Sequence, residues 1–314
     1  MPLPPVLFSL AVPPEHFSPL DGLAEVRMFD NGPAKAPREQ VLREIRDCVG
    51  FISQGEVTVD AELLDAAPNL RIVANAAMGV DNLDLDEIRS RGIVAVNTPD
   101  AFAESTADLT LGLMLDITRH ISESDRYVRT GEWAKGMQPL RWEGTKMGGR
   151  TLGIVGYGRI AKLVESRAHA FGMQVIHCRS RFTGGKNERS LDDLLAESDI
   201  VVTLVPLTKE THHLINAKRL AQMKPGAFFV NVARGKVMDE SAVVNALKNG
   251  HLSGAAFDVF EEEPIVNREL FAMENVVLTP HIGGATQEQR RSGRMAAAEE
   301  VARFLRGENL ENEL

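Results

Sequence analysis

Short apolar stretches alternate with amphipathic ones from the start of the chain. VLFSL (6–10), EVRMF (25–29), CVGFIS (48–53), RIVANAA (71–77) and IVAVN (93–97) have the length and β-branched content of strands. Between them, PREQVLREIRD (37–47) and DAELLDAA (60–67) have helical spacing. Such alternation predicts an α/β fold, a parallel sheet with helices on its faces. From about Phe102 to Arg129 the apolar positions Leu109, Leu113, Ile117 and Ile121 recur at helical spacing and predict one long helix. The loop GEWAKGMQPLRWEGTKMGGR (131–150), with its glycines and both tryptophans, breaks the pattern. The alternation then restarts with TLGIVGYG (151–158), MQVIHC (173–178), DIVVTLV (199–205), AFFVNV (227–232), GAAFDVF (254–260) and NVVLTP (275–280). A final amphipathic helix is predicted over 285–307. Two α/β units joined by the long helix, with a boundary near Pro99, are expected.

Composition narrows the class. A chain of 314 residues has room for two domains and buries roughly 75% of its unfolded surface, so neither disulfides nor metals are needed to hold a core. Cys48 and Cys178 are the only cysteines, which fits a reducing compartment. The opening MPLPPVLFSLAVPP lacks a basic leader and is broken by prolines, so it reads as a first strand and not as a signal peptide. No apolar run is long enough to span a bilayer. A net charge of -9 argues against a nucleic-acid binder. A cytoplasmic enzyme acting on a small molecule, with no membrane or nucleic-acid partner, is the expectation.

Gly156-Tyr157-Gly158-Arg159-Ile160-Ala161 follows a predicted strand and opens a predicted helix, the context that a G-x-G-x-x-A dinucleotide site requires. Gly156 permits the tight turn, Gly158 lets backbone approach a pyrophosphate, and Ala161 still allows close packing of helix on strand. The second strand of such a unit normally ends in an acidic residue bonded to the adenosine ribose. Here it ends VIHCRSR, with Arg179 at that position followed by Ser180 and Arg181. A guanidinium there offers charge-assisted bonds to a ribose 2′-phosphate, so NADP(H) is expected ahead of NAD(H). The plainer reading is solvated charge at a strand end.

Ligands of parallel sheets bind at the carboxyl ends of the strands. Arg234 follows AFFVNVA, Asp258 and then Glu263 follow GAAF, and His281 follows NVVLTP. An arginine can hold a substrate carboxylate in a fork, a histidine can protonate a carbonyl oxygen, and a carboxylate beside the histidine favours its charged form. Taken singly, each has a bland reading as a surface or structural residue. Together they match the reduction of a 2-keto acid. No metal-ligand spacing is present, so no metal is expected.

The chain resembles the D-isomer-specific 2-hydroxyacid dehydrogenase family over nearly its full length, through LGIVGYGRIA (152–161), VPLTKETHHLIN (205–216), MKPGAFFVNVARGKVMDE (223–240), AAFDVFEEEP (255–264) and TPHIGGAT (279–286). The resemblance implies a Rossmann cofactor domain (100–284) inserted in a flavodoxin-like substrate domain (1–99 with 285–314). It implies Arg234, Glu263 and His281 as the catalytic set. Substrate contacts would come from Met78, Gly79 and Val80 together with Arg234 and His281. Cofactor contacts would come from the glycine turn and from Arg179, Ser180, Arg181, Val205, Pro206, Thr211, Val232, Ala233, Arg234, Asp258, His281 and Gly283, with Asp258 bonding the nicotinamide amide. It also implies a homodimer formed through the cofactor domain, by way of the long helix and its tryptophan-bearing loop. Within the family, VIHCRSR and NTPDAFAESTADLTLGLML resemble NADP-preferring glyoxylate and hydroxypyruvate reductases, with 2-ketogluconate reductases close by. A phosphite dehydrogenase and a non-enzymatic, dinucleotide-sensing corepressor use the same scaffold and remain alternatives. Ala161 and Arg179 are the departures from the family pattern.

Overall fold

The computed structural model describes residues 2–29, 35–138 and 140–314; Met1 and Pro139, within two of the stretches read above, lie outside them. The chain divides into two units, residues 1–102 with 285–314, and residues 103–284.

The first unit holds five parallel strands, β1 (Pro5–Phe8), β2 (Glu25–Met28), β3 (Gly50–Ser53), β4 (Ile72–Asn75) and β5 (Val94–Asn97), in the order β2-β1-β3-β4-β5. That order is the flavodoxin-like one. Helices α1 (Arg38–Glu44), α2 (Ala61–Ala66) and α3 (Leu85–Ser90) link the strands, and the last helix, α10 (Gln287–Arg306), returns to the same sheet. Thr286 caps α10 by accepting from the Gln289 amide at 3.3 Å, and Gly307 ends it in the left-handed conformation that glycine favours. Ala297, Ala298, Val301 and Ala302 press α10 onto Val6, Ile52, Ile72 and Val96.

The second unit carries α4 (Ala103–Arg119), α5 (Ile121–Arg129), α6 (Arg159–Ala170), α7 (Leu191–Glu197), α8 (Ala217–Leu220) and α9 (Glu240–Lys248). Its six parallel strands are β6 (Thr151–Val155), β7 (Gln174–Cys178), β8 (Ile200–Thr203), β9 (Ala227–Asn231), β10 (Leu252–Phe257) and β11 (Val276–Leu278), ordered β11-β10-β9-β8-β6-β7. Strand order reverses beside β6, and the crevice of a doubly wound sheet opens at that switch point. Every residue of β8 and β9 is buried, as a parallel sheet covered on both faces requires. One face packs Leu195, Val243, Phe229 and Phe257, and the other packs Leu111, Met114, Val164 and Ile154. Among the described residues no helix is long and apolar enough to cross a membrane.

Two expectations need correction. The long helix predicted from 102 to 129 is two helices, broken at His120, whose backbone is left-handed (φ 57°). The break has a polar cause. The Asp116 carboxylate accepts from both the amide (2.7 Å) and the hydroxyl of Ser122 and so starts a new helix, while the Thr118 carbonyl accepts from the Thr145 amide at 2.7 Å. Helical periodicity continues through the break and hides it. Glu263, in turn, does not sit at a strand end. β10 stops at Phe257, and Glu263 lies in the loop beyond it.

Phe229 and Phe257 are fully buried with ring centroids 6.2 Å apart, edge to face. Phe229→Ala should lower the unfolding free energy by about 3–5 kcal/mol. In denaturant titration this appears as a lower midpoint with an unchanged slope.

Candidate active site

The glycine turn lies at the switch point. Gly156 has φ 93°, and a Cβ there would fall 2.7 Å from Val205 Cγ1 and 2.8 Å from the Leu204 carbonyl, so both backbone and space exclude any other residue. Gly158 is the N-cap of α6; no side chain caps the helix there, and the space a Cβ would occupy is open. Ala161 is fully buried beneath the turn. The exposed α6 amides and the bare Gly158 backbone suit an anionic group, so the residues present fit a dinucleotide pyrophosphate.

Tyr157, in the turn, stacks on His177 of β7 with centroids 3.5 Å apart, and the Arg179 guanidinium lies 4.8 Å from the Tyr157 ring centre. Burial and the adjacent Glu165 carboxylate push the Tyr157 phenol up to about 12. Burial likewise holds His177 below its ordinary value, so this ring is a neutral platform. Arg179, Ser180 and Arg181 are exposed. The next loop does contain a carboxylate, Glu188, but it is turned inward. Its Oε2 accepts from the Thr183 hydroxyl at 2.6 Å, the Thr183 amide at 2.9 Å and the Gly185 amide at 3.1 Å. These bonds, the hydroxyl first, hold it down to about 2.

The later strands and the loops after them carry the other candidate residues. Asn231, fully buried at the end of β9, accepts from Thr203 Oγ1 at 2.7 Å and the Ala233 amide at 3.1 Å, and donates to the Arg234 carbonyl at 3.0 Å. It thereby folds the Val232-Ala233-Arg234 turn. After β8, the Thr211 hydroxyl donates to the Pro206 carbonyl at 2.6 Å and closes the loop that begins at Val205. Asp258 is buried, and its carboxylate accepts from Thr279 Oγ1 (2.6 Å) and from the amides of Ile282 and Gly283 (2.8 Å each). Both of its oxygens therefore hold the turn that presents His281, whose backbone is left-handed (φ 53°).

His281 Nδ1 donates to Glu263 Oε2 at 2.8 Å, and Glu263 Oε1 accepts from the Phe260 amide at 3.0 Å. Burial pushes the Glu263 carboxyl up, but His281, the Phe260 amide and the Arg234 charge together hold it below its ordinary value. With Nδ1–H committed to a carboxylate, Nε2 is the ring nitrogen left to meet a ligand. Gly235, next to Arg234, packs so closely that a Cβ would lie 1.9 Å from the Phe260 carbonyl. The structure thus brings Arg234, Glu263 and His281 to one end of one sheet. Met78, Gly79 and Val80 belong to the other unit, in a loop after β4 whose Gly79 and Met78 carbonyls accept from Asn75 and Asn97 at 2.8 and 2.9 Å. Among the described residues no group of three or more His, Cys, Asp or Glu could hold a metal ion.

Residues 111–283 match the family model for the D-isomer specific 2-hydroxyacid dehydrogenase, NAD binding domain. The chain belongs to this family. It is 43% identical to a glyoxylate reductase of Pyrococcus furiosus over 314 residues, 97% of this chain and 93% of that protein. Among solved structures it is similar to an NADPH-dependent glyoxylate/hydroxypyruvate reductase of Sinorhizobium meliloti in complex with NADP and malonate (TM-score 0.87, 30% identity, 99% of this chain and 96% of that one). It is also similar to a D-lactate dehydrogenase of Aquifex aeolicus complexed with NAD and lactic acid (TM-score 0.82, 29% identity, 96% of each chain).

Three residues that brace the candidate site were not singled out in the sequence. Thr203 and Asn231 are paired in register across β8 and β9, and a polar residue closing each of two otherwise apolar strands was their signal. His177 had no partner visible in sequence, because Tyr157 meets it only once β6 and β7 are paired.

The carboxylate–imidazole pair can be checked by titration. Carbon-detected NMR should find Glu263 ionising below the ordinary range. In His281→Ala, with the largest lowering influence removed and burial remaining, its pKa should rise.

Proposed function

We propose that this protein reduces a small 2-keto acid, glyoxylate or hydroxypyruvate first, to the D-2-hydroxy acid with NADPH as the preferred donor. The observation that carries the reading is the His281–Glu263 pair, held at the same sheet end as Arg234 and the glycine turn. The names of the relatives and the malonate-bound neighbour support a short carboxylic acid as substrate.

Arg234 supplies the planar fork for the substrate carboxylate and polarises the adjoining carbonyl. Amides of Met78, Gly79 and Val80 are proposed as further donors to that carboxylate. When bound, the nicotinamide supplies hydride to the carbonyl carbon. His281 gives the proton on Nε2 to the carbonyl oxygen, completing the hydroxyl, and Glu263 stabilises the imidazolium from which that proton leaves. Asp258 fixes the turn from which His281 acts, with the nicotinamide amide as its proposed further contact.

NADPH preference rests on Arg179. Lying against Tyr157 in the glycine turn and exposed at the end of β7, it offers a forked donor where an acidic residue would repel a 2′-phosphate. Ser180 and Arg181 flank it, and the neighbouring Glu188 is occupied by its own loop. A second copy of the chain is proposed to cover the exposed Ile121, Val128, Trp133, Met137 and Leu140 of α5 and the following loop.

A steady-state screen of NADPH and NADH oxidation against glyoxylate, hydroxypyruvate, pyruvate and 2-ketogluconate, with phosphite assayed in the NAD(P)-reducing direction, tests the reading. Turnover with phosphite alone, or with no acid at all, would overturn it. His281→Ala should lose roughly 10²–10⁴ in kcat while still binding cofactor. A hydrogen bond to a charged group is worth about 1.5–3 kcal/mol, so Arg179→Ala should raise KM for NADPH by about tenfold or more and that for NADH far less. Equal efficiency with both cofactors in the unmodified protein would return Arg179 to solvated charge.

A further inference from the structure

The loop carrying Glu263 is anchored by a carboxylate for which the proposed chemistry has no use. Glu240 opens α9 and is only 6% exposed. Its Oε2 accepts from the Glu261 amide at 3.2 Å and its Oε1 from the Asn267 amide at 3.3 Å, so the two oxygens grip the loop on either side of Glu263. Helix capping does not explain it, because Asp239 already accepts from the Ala242 amide at 2.9 Å. Around it, Glu261 Oε1 pairs with His213 Nε2 at 2.5 Å, Lys236 lies 3.7 Å from Glu262, and the Ile265 amide donates to the Glu262 carbonyl at 2.8 Å. Gly235 closes the contact from below against Phe260 and Glu261. The segment leading from Arg234 to Glu240 and the loop bearing Glu263 are therefore clamped together.

We propose that Glu240 is a positioning residue for the reduction: by holding both arms of the Glu261–Asn267 loop it sets Glu263 against His281. This inference rests on the reading of His281 as the proton donor. A carboxylate suits the task because it is acceptor on both oxygens and faces two donors. Burial, with the Glu261 charge adding to it, raises the Glu240 pKa, which marks how far the group has been taken from water. Among the described residues, the ionisable groups facing the His281–Glu263 pair are Arg234, whose charge acts on Glu263, and the buried Asp258, whose carbonyl accepts from the His281 amide.

The test uses the full chain with Glu240→Gln, which turns an amide donor toward one of the two backbone amides. Positioning errors of about 1 Å cost on the order of 10²-fold, so kcat should fall by about ten- to a hundredfold with little change in KM for the keto acid. The pH above which reduction fails should move downward, and Glu263→Gln should move it the same way, because His281 loses its aligned partner. In a Glu263→Gln background the same change should add little. Asn267→Pro is a second variant. Asn267 has φ −58°, so proline fits the backbone while deleting the amide that Glu240 holds; it also removes the side chain that accepts from the Glu269 amide at 3.0 Å, and the pH limb should shift the same way. Backbone amide exchange at Glu261 and Asn267 should quicken in Glu240→Gln whether or not the enzyme turns over. An unchanged pH profile in both variants, or unchanged exchange at these amides, overturns the role of Glu240. Absence of keto-acid reduction in the unmodified protein, with exchange quickened in the variant, would instead overturn the proposed reaction and, with it, the catalytic purpose of the clamp.

Discussion

The buried carboxylate of Asp258 fixes the geometry on which the site depends. Taking that charge out of water is costly unless every lone pair that faces protein finds a donor. Here one hydroxyl and two amides supply them, all from the turn of residues 279–283. The Asp258 amide donates to the Asn231 carbonyl and its carbonyl accepts from the His281 amide, so one residue ties the end of β9 to the turn beyond β11. A histidine with φ 53° is held where loop backbone alone would not keep it. The Glu263 carboxylate then has a stationary imidazole to meet.

The same device recurs at smaller scale. Thr203 and Asn231 sit opposite each other at the ends of two strands that are otherwise apolar, and their side chains satisfy one another and the turn that leads to Arg234. Glu300 does it in the other unit, accepting from the Glu311 amide at 3.2 Å and Asn312 Nδ2 at 2.8 Å to draw the end of the chain toward α10. In each case a buried polar group selects one backbone path among several that apolar packing alone would tolerate.

Strands, most helices and the glycine turn were legible in the sequence because they follow from period and from steric need. β6 to β9 and β11 fall inside the apolar runs that predicted them, β10 starts two residues before its run and stops three short of its end, and Gly156 takes the positive φ its place in the motif implies. What stayed hidden depends on partners distant in sequence. His120 breaks a helix because Asp116 finds Ser122 and Thr118 finds Thr145, and hydrophobic spacing carries no trace of either bond. The inward-facing Glu188 was invisible for the same reason, since its proximity to Arg179 arises only when the loop folds on Thr183 and Gly185. The placement of Glu263 in a loop instead of at a strand end reflects the early stop of β10, after which the polar bonds of Asp258 replace the sheet ladder.

The tryptophan-bearing loop has an experimental consequence. Trp133 and Trp142, like Tyr127 and Tyr157, all belong to the unit formed by residues 103–284. Intrinsic tryptophan and tyrosine emission therefore reports on that unit alone, and Trp142, 5.2 Å from Tyr127 and stacked under Arg141, is its more sheltered lamp. A melting curve followed by that emission would be silent about the five-stranded unit, whose only aromatic side chains besides histidine are phenylalanines; following both units in solution needs a label on the five-stranded one, or backbone spectroscopy.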